Sequence, residues 1–451
     1  MQWLLLIILP LNRRQMKIIK ITTLFILFHG SVFCQKVDKF IKSKDITRIL
    51  QTLSADDMMG RPAMQPARIE KATAFIENEF KKIKLKSLNG LRGFRQEFTI
   101  EMIVPGEVEA IVEGDKIAQE NVILVTEKTN VSIDKGLSVK TIEFDPKAEN
   151  KDQYFSGMAF SMARDTASAI ILIAPEFQKN FMEFKGFFGK RFINNRKSIK
   201  VFILGKKSAS TYSIKAKQKI EFIKMTNVVG MLEGKTKPDE MVIFSGHYDH
   251  LGVQKIAIEG DSISNGADDD ASGTTAVIEL ARYFKKLKNN NRTLIFIAFT
   301  AEEIGGFGAR YFSQQLPPEK VIAMFNIEMI GKPSKWGQNF AFITGFEKSD
   351  FGQILQKNLI GTPFQFQPDP YPHQNLFYRS DNATLARLSV PAHSISTDEI
   401  DIDKFYHTVN DEVETLDINN ITAAIRAIAL SSQTIVSGAD TPKRIDKSSV
   451  R

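Results

Sequence analysis

Imidazole and carboxylate side chains recur in short clusters through the second half of this 451-residue chain: His247-Tyr248-Asp249-His250, Asp268-Asp269-Asp270, Glu302-Glu303, Glu328 and His407. A borderline cation such as zinc prefers imidazole and carboxylate ligands in a small cage. His247, Asp268, Glu303, Glu328 and His407 offer more protein ligands than one catalytic zinc takes, and they suit two cations sharing a bridging carboxylate. Two cations about 3.5–4 Å apart polarise a carbonyl, ready a hydroxide for attack and take up the charge of a tetrahedral intermediate. Peptide hydrolysis needs those three things. It also needs a group to take the proton from water, and in Glu302-Glu303 one carboxylate can ligate while the other shuttles protons. Taken singly, an acidic pair opening a helix complements the helix dipole and an Asp run before Ala-Ser-Gly caps one. Neither explains why the clusters fall at equivalent places along the chain.

Those places are the ends of strand-like runs. MVIFSG leads into His247, TLIFIAFTA into Glu302, and VIAMFNI into Glu328, while Asp268-Asp269-Asp270 opens the helical stretch ASGTTAVIELARYF. In open α/β sheets, ligands bind at the strands' C-terminal edge. NVVGML, FAFIT and PAHSIS are further apolar runs, and helical spacing falls near 271–288, 303–314, 350–358, 381–388 and 418–436. Strands buried on both faces read as continuous apolar runs because helices cover them. The pattern predicts an α/β fold with a mixed, mostly parallel central sheet sandwiched by helices.

This catalytic domain spans 225–437, with opening helices of the same domain in 37–96, over 37–60 and 65–84. Residues 97–224 change texture to short β-prone runs such as FTIEMIV, VEAIV and KVFILG, and predict an inserted β-rich module. The tail, 438–451, has few apolar residues and is expected to be mobile.

The N-terminus reads as an export signal over residues 1–34. A start at Met16 would give the usual order of Lys17 and Lys20, then an apolar run, then a cut near Cys34. Basic residues divide the apolar stretch, which argues against a membrane anchor. A lipid-anchored form would use Cys34, but Val32-Phe33 before it lacks the small residues that such processing prefers. Cys34 is the only cysteine, so disulfides and thiolate ligands are excluded from the mature chain. The formal charge of +8 falls to +4 once Arg13, Arg14, Lys17 and Lys20 leave with the signal. No basic and aromatic face suggests nucleic-acid binding.

The motifs SGHYDHLG (245–252), NGADDDASGTTAVIELARYF (265–284), RTLIFIAFTAEEIGGFGARYF (292–312), NIEMIGKP (326–333), RSDNATLARLSVPA (379–392) and FYHTVNDEVETLD (405–417) resemble the co-catalytic two-zinc aminopeptidases of peptidase family twenty-eight. The resemblance implies two Zn2+ per subunit, with Asp268 bridging, Glu303 and His407 completing one site, and His247 and Glu328 the other. It makes Glu302 the general base and puts Asp249 behind His247, where a carboxylate fixes the ring's tautomer. It further implies a cis bond between Asp268 and Asp269, and a Tyr406 hydroxyl that donates to the developing oxyanion. Glu328 departs from the family, which commonly has Asp there. The 97–224 module resembles a degenerate protease-associated domain through SAIILIAP and SIKVFILGKKSA.

The expectation is an exported zinc exopeptidase acting on peptides, an aminopeptidase in the first reading. A carboxypeptidase or dipeptidase of the same clan would need a cation for the substrate's carboxylate; Arg379 is the nearby candidate, with Ser380 and Asp381 as further substrate candidates. Glutaminyl cyclase and a non-catalytic binding protein on this fold are the other readings, against which the full ligand set argues.

Overall fold

The computed structural model describes residues 37–451 apart from 148, 194–196 and 259. Residues 1–34, expected to be an export signal, lie outside the described residues. The described residues form two units, one built from residues 37–98 and Met225–Arg451, the other from Thr99–Lys224.

Helices α1 (Ser43–Leu53) and α2 (Pro66–Ile83) of the larger unit precede β1 (Arg95–Val104) and β2 (Lys219–Leu232), strands that each run across the chain boundary between the units. An alternation follows: β3 (Lys237–His247), α3 (Gly273–Leu287), β4 (Arg292–Phe299), α4 (Phe307–Ser313) and β5 (Val321–Ile327). Then come β6 (Phe340–Ile343), α5 (Phe351–Asn358), β7 (Gln365–Pro368), α6 (Asn382–Ala386), β8 (Ala392–Ser396), α7 (Ile418–Ser431) and α8 (Gln433–Ser437). The sheet order is β7-β6-β8-β5-β3-β4-β2-β1. Its centre, β8-β5-β3-β4, is parallel, and β2 and β6 join it antiparallel. The mixed, mostly parallel sheet is therefore as the apolar runs predict.

Both faces of this sheet are covered, which is why β4 is buried along its whole length. On one face Ile243, Ile295, Ile297 and Met324 pack with Phe312 of α4 and Leu385 of α6. On the other, Phe244 lies against Phe284 of α3 and stacks on Phe296 and Phe325, with centroids 4.8–5.5 Å apart. Burying one such ring stabilises the fold by about 1.5–3 kcal/mol.

The tail corrects the expectation of mobility. Ile445 is buried in the same cluster as Ile295, and Arg444 donates to the Val321 carbonyl at 2.7 Å. Arg292 donates to the carbonyl of Asp440 at 2.6 Å. Average polarity hid two apolar contacts, Ile445 and the partly buried Val450, and a set of backbone hydrogen bonds.

The second unit has the expected strands but also helices, at Lys151–Arg164 and Gln178–Gly186. One sheet runs in the order Val122–Val125, Lys200–Leu204, Ala169–Ile173, Ser138–Ile142. Phe155, Phe177, Phe181 and Phe184 pack on one of its faces, and the second sheet, with Ala110, Val112 and Ile214, packs on the other. Among the described residues no helix is long and apolar enough to cross a membrane.

Candidate metal centre

The parallel register brings four strand ends level. His247 pairs with Phe299, Ser245 with Asn326, and Asn326 with Ser394. Just beyond β4 and β5 the backbone turns sharply through left-handed Ala301 (φ 61°) and Met329 (φ 47°), and in the longer loop after β8 through His407 (φ 58°). Side chains rarely adopt such angles unless the surroundings impose them, and such residues cluster at functional sites. Here the turns present Glu302-Glu303, Glu328 and His407 to one cavity, which Asp269, Met329, Phe342, Leu376 and Tyr406 also line.

Asp269 lies at the centre. Its Oδ1 is 3.1 Å from His247 Nε2 and its Oδ2 is 3.2 Å from His407 Nε2. His247 Nε2 is also 3.2 Å from Glu328 Oε1, and His407 Nε2 is 3.2 Å from Glu303 Oε2. Ligand atoms about 2.0–2.2 Å from a tetrahedral zinc stand roughly 3.3–3.5 Å apart. His247, Asp269 and Glu328 on one side and His407, Asp269 and Glu303 on the other are spaced as residues that would hold cations, with Asp269 common to both sets.

The expectation of Asp268 as the bridge, and of a cis bond before Asp269, is corrected by one residue: the cis bond joins Asp269 to Asp270. Asp268 instead turns away. Its Oδ1 accepts from the Gly331 amide at 2.7 Å and its Oδ2 faces Lys332 Nζ at 3.3 Å. Asp270 accepts the amides of His247 (3.0 Å), Gly273 (3.0 Å) and Met329 (3.2 Å), tying β3, α3 and the turn after β5 together. The Asp411 carboxylate accepts the amides of both Asp268 and Asp269. Three consecutive aspartates are equivalent by type. Only the direction each side chain takes separates their roles, and Asp270's spacing before Gly273, that of a helix cap, was the readable hint.

Asp249 also differs from expectation. It is its backbone carbonyl that meets His247 Nδ1, at 3.1 Å, while the nearest carboxylate oxygen is 3.9 Å away. The carboxylate accepts the Glu302 amide at 3.2 Å, so it positions the neighbouring turn. Glu302 lines the cavity beside the triads. Burial, reinforced by Glu328, Asp381 and Glu303, pushes its carboxyl well above the ordinary range. Ser380 donates to Glu328 Oε2. Arg379 lines the cavity and donates to Tyr406 Oη at 3.3 Å and to Gln374 at 3.1 Å. Asp381 is only 1% exposed and is not a substrate contact in this geometry.

Sequence reasoning missed three residues. Arg61 is wholly buried, and its guanidinium donates to the carbonyls of Tyr248, Leu53, Asn265 and Gly266, beneath the carboxylates. His250 Nδ1 stands 2.7 Å from Glu303 Oε1. Lys332 supplies the positive charge for Asp268 and Asp403, the latter at 2.6 Å. The only sequence signal for Arg61 was its place in the Gly-Arg-Pro break between two helices.

Burial pushes the carboxyl of Asp249 up to about 6 and of Asp268 up to about 7. Burial disfavours the charged form of His407, yet Asp269 and Glu303 outweigh it and raise the ring to about 10. For the two acids, the folded state retains a proton that the unfolded chain loses near 3.8. Their stabilisation is full below that value and is lost as pH rises through about 6 and about 7. That of His407 is full below 6.5 and lost through about 10. Asp269 and Glu303, whose carboxyls are held low against burial by their imidazole partners, lose stabilisation only in acid. The metal-free fold therefore weakens from about pH 5 to 9, whereas bound cations require these ligands deprotonated. Zinc added to chelated protein is expected to raise Tm more at pH 8 than at pH 5.5, measured by scanning calorimetry. Equal increments would contradict this.

Comparison with known proteins gives a consistent result. A family model described as "Peptidase family M28" matches residues 227–431. Proteins named probable zinc metalloprotease from Pyrenophora tritici-repentis and Pyrenophora teres f. teres are 38% and 39% identical over 111 residues, 24% of this chain and 25% and 23% of theirs. The chain thus matches about a quarter of the length of these curated relatives. An aminopeptidase from Aneurinibacillus sp. strain AM-1 superposes with TM-score 0.53 at 18% identity, covering 89% of this chain and 95% of that one. A peptidase M28 precursor from Shewanella amazonensis SB2B gives 0.53 at 14% identity, covering 92% and 98%. At these identities the likeness is one of fold, the sheet with its flanking helices. The family model covers the strands, turns and side chains that build the centre, and over residues 227–431 the chain is similar to peptidase family M28.

Proposed function

We propose that this chain is an exported zinc exopeptidase with two metals, most simply an aminopeptidase that releases N-terminal residues from peptides. The observation that carries the reading is the pair of triads sharing Asp269, His247–Asp269–Glu328 and His407–Asp269–Glu303, with separations of 3.1–3.2 Å. Zinc bound there would supply a Lewis acid for the scissile carbonyl and a water of lowered pKa. Glu302, poised at the cavity wall, takes the proton of the attacking water and returns it to the leaving amine. Tyr406, whose hydroxyl is held by Arg379, is in place to donate to the oxyanion. Solved proteins of this fold described as aminopeptidases, from Aneurinibacillus sp. strain AM-1 and Bacillus subtilis, support the choice of N-terminal cleavage. Export rests on the composition of residues 1–34.

One observation favours a second reading, a dipeptidase or carboxypeptidase: among the described residues the exposed Arg379 guanidinium bonds only neutral groups, Gln374 and Tyr406, and could meet a substrate carboxylate. Metal analysis of the mature protein, with hydrolysis of aminoacyl, N-acetylated and free dipeptide substrates, separates the two. The expected result is two zinc per chain and release of free N-terminal residues. Cleavage of N-acetylated peptides at the C-terminus without aminopeptidase activity would overturn the leading reading.

A further inference from the structure

We infer that His250 is a positioning residue that clamps Glu303, donating its Nδ1–H to Oε1 so that Oε2 alone faces the cation held with Asp269 and His407. The inference rests on the two-metal reading above, and His250 is absent from the ligand set that the family resemblance implies.

Three observations carry it. The first is distance. His250 Nδ1 is 2.7 Å from Glu303 Oε1, a charge-assisted hydrogen bond, whereas the pairs that would flank a cation in the two-metal reading stand 3.1–3.2 Å apart. Its separation from Asp269 Oδ2 is 3.9 Å, too long for a shared tetrahedron edge. The contact is also to the oxygen opposite the one near His407.

The second is immobility. His250 is 2% exposed, and its amide donates to the Arg61 carbonyl at 3.0 Å. Its ring lies against Gly266, where an added Cβ would stand 2.5 Å from the imidazole Cγ. Nε2 has no hydrogen-bond partner among the described residues, so the ring's proton belongs on Nδ1, where an acceptor waits.

The third is that the other triad is built alike. Glu328 gives Oε1 to His247 and has Oε2 taken by the Ser380 hydroxyl. In each glutamate one oxygen is left for metal and the other is held by a protein donor. Glutamates can rotate or bind through both oxygens; the clamps remove those alternatives. Such outer partners are typically worth 10–100-fold in metal affinity.

The test is zinc titration of metal-free wild type, His250→Ala and His250→Asn, by calorimetry and chelator competition. Wild type should take two equivalents. His250→Ala should keep one affinity and weaken the other about 10–100-fold, and His250→Asn, whose amide N–H can fall near the Nδ1 position, should recover most of it. Thermal melts of the metal-free proteins establish folding, and His250→Leu replaces the alanine variant should that lack a cooperative transition. Unchanged affinities in His250→Ala, or an asparagine variant no better than alanine, would overturn the clamp. So would loss of one imidazole scatterer from the zinc X-ray absorption spectrum of His250→Ala, which would make His250 a ligand. If wild type takes one equivalent, the two-metal reading fails, and the clamp stands or falls on whether His250→Ala weakens that remaining site.

Discussion

Glu302→Gln is expected to lower kcat by about 10²–10⁴-fold while the protein still binds two equivalents of zinc. At about 1.36 kcal/mol per decade, that is roughly 3–5 kcal/mol of transition-state stabilisation. The substitution is nearly isosteric, and the Glu302 amide keeps its bond to Asp249, so the turn that also carries Glu303 is undisturbed. What changes is proton capacity: burial and the surrounding carboxylates give Glu302 an unusually high proton affinity, which an amide lacks. Steady-state kinetics with metal analysis on one preparation checks both halves. Full turnover would remove Glu302 from the mechanism, and loss of a metal would make it a ligand.

The features legible in the sequence are those set by repeated local pattern. Continuous apolar runs became β3, β4 and β5 because helices cover both faces of the sheet, and placing chemistry at their ends needed only the rule that such sheets bind ligands at that edge. Features set by one side chain's direction were not legible. Asp268, Asp269 and Asp270 have the same chemistry and adjacent numbers, yet one meets Lys332, one lies between two histidines and one caps backbone amides. Arg61 and His250 act across about 190 and 50 positions of sequence, contacts that local periodicity does not encode. The helix at Lys151–Arg164 buries only Phe155, Ala159 and Ala163, a stripe too narrow to stand out among β-prone neighbours. The tail failed for the opposite reason, since composition averaged away Ile445.

The sharpest separation between the bridging assignments is Asp269→Asn against Asp268→Asn. Asp269 gives one oxygen to each triad, so replacing it removes a negative ligand from both at once. Asp269→Asn is expected to lose both metals under dialysis and with them activity, by at least the factor expected for Glu302→Gln. Asp268 sits at a different kind of place. Burial already pushes its carboxyl up to about 7, and its Oδ1 serves the Gly331 amide, a role an Asn carbonyl can fill. Lys332 keeps Asp403 as a partner. Asp268→Asn should therefore retain two zinc per chain, with a lower Tm from the loss of one charge opposite Lys332. Elemental analysis after dialysis reads the contrast directly. The reverse pattern, metals lost in Asp268→Asn and kept in Asp269→Asn, would restore Asp268 as the bridge. It would also require the Asp268 carboxylate to leave Gly331 and Lys332 and turn through the backbone to reach His247 and His407, which Asp411 opposes by holding both neighbouring amides.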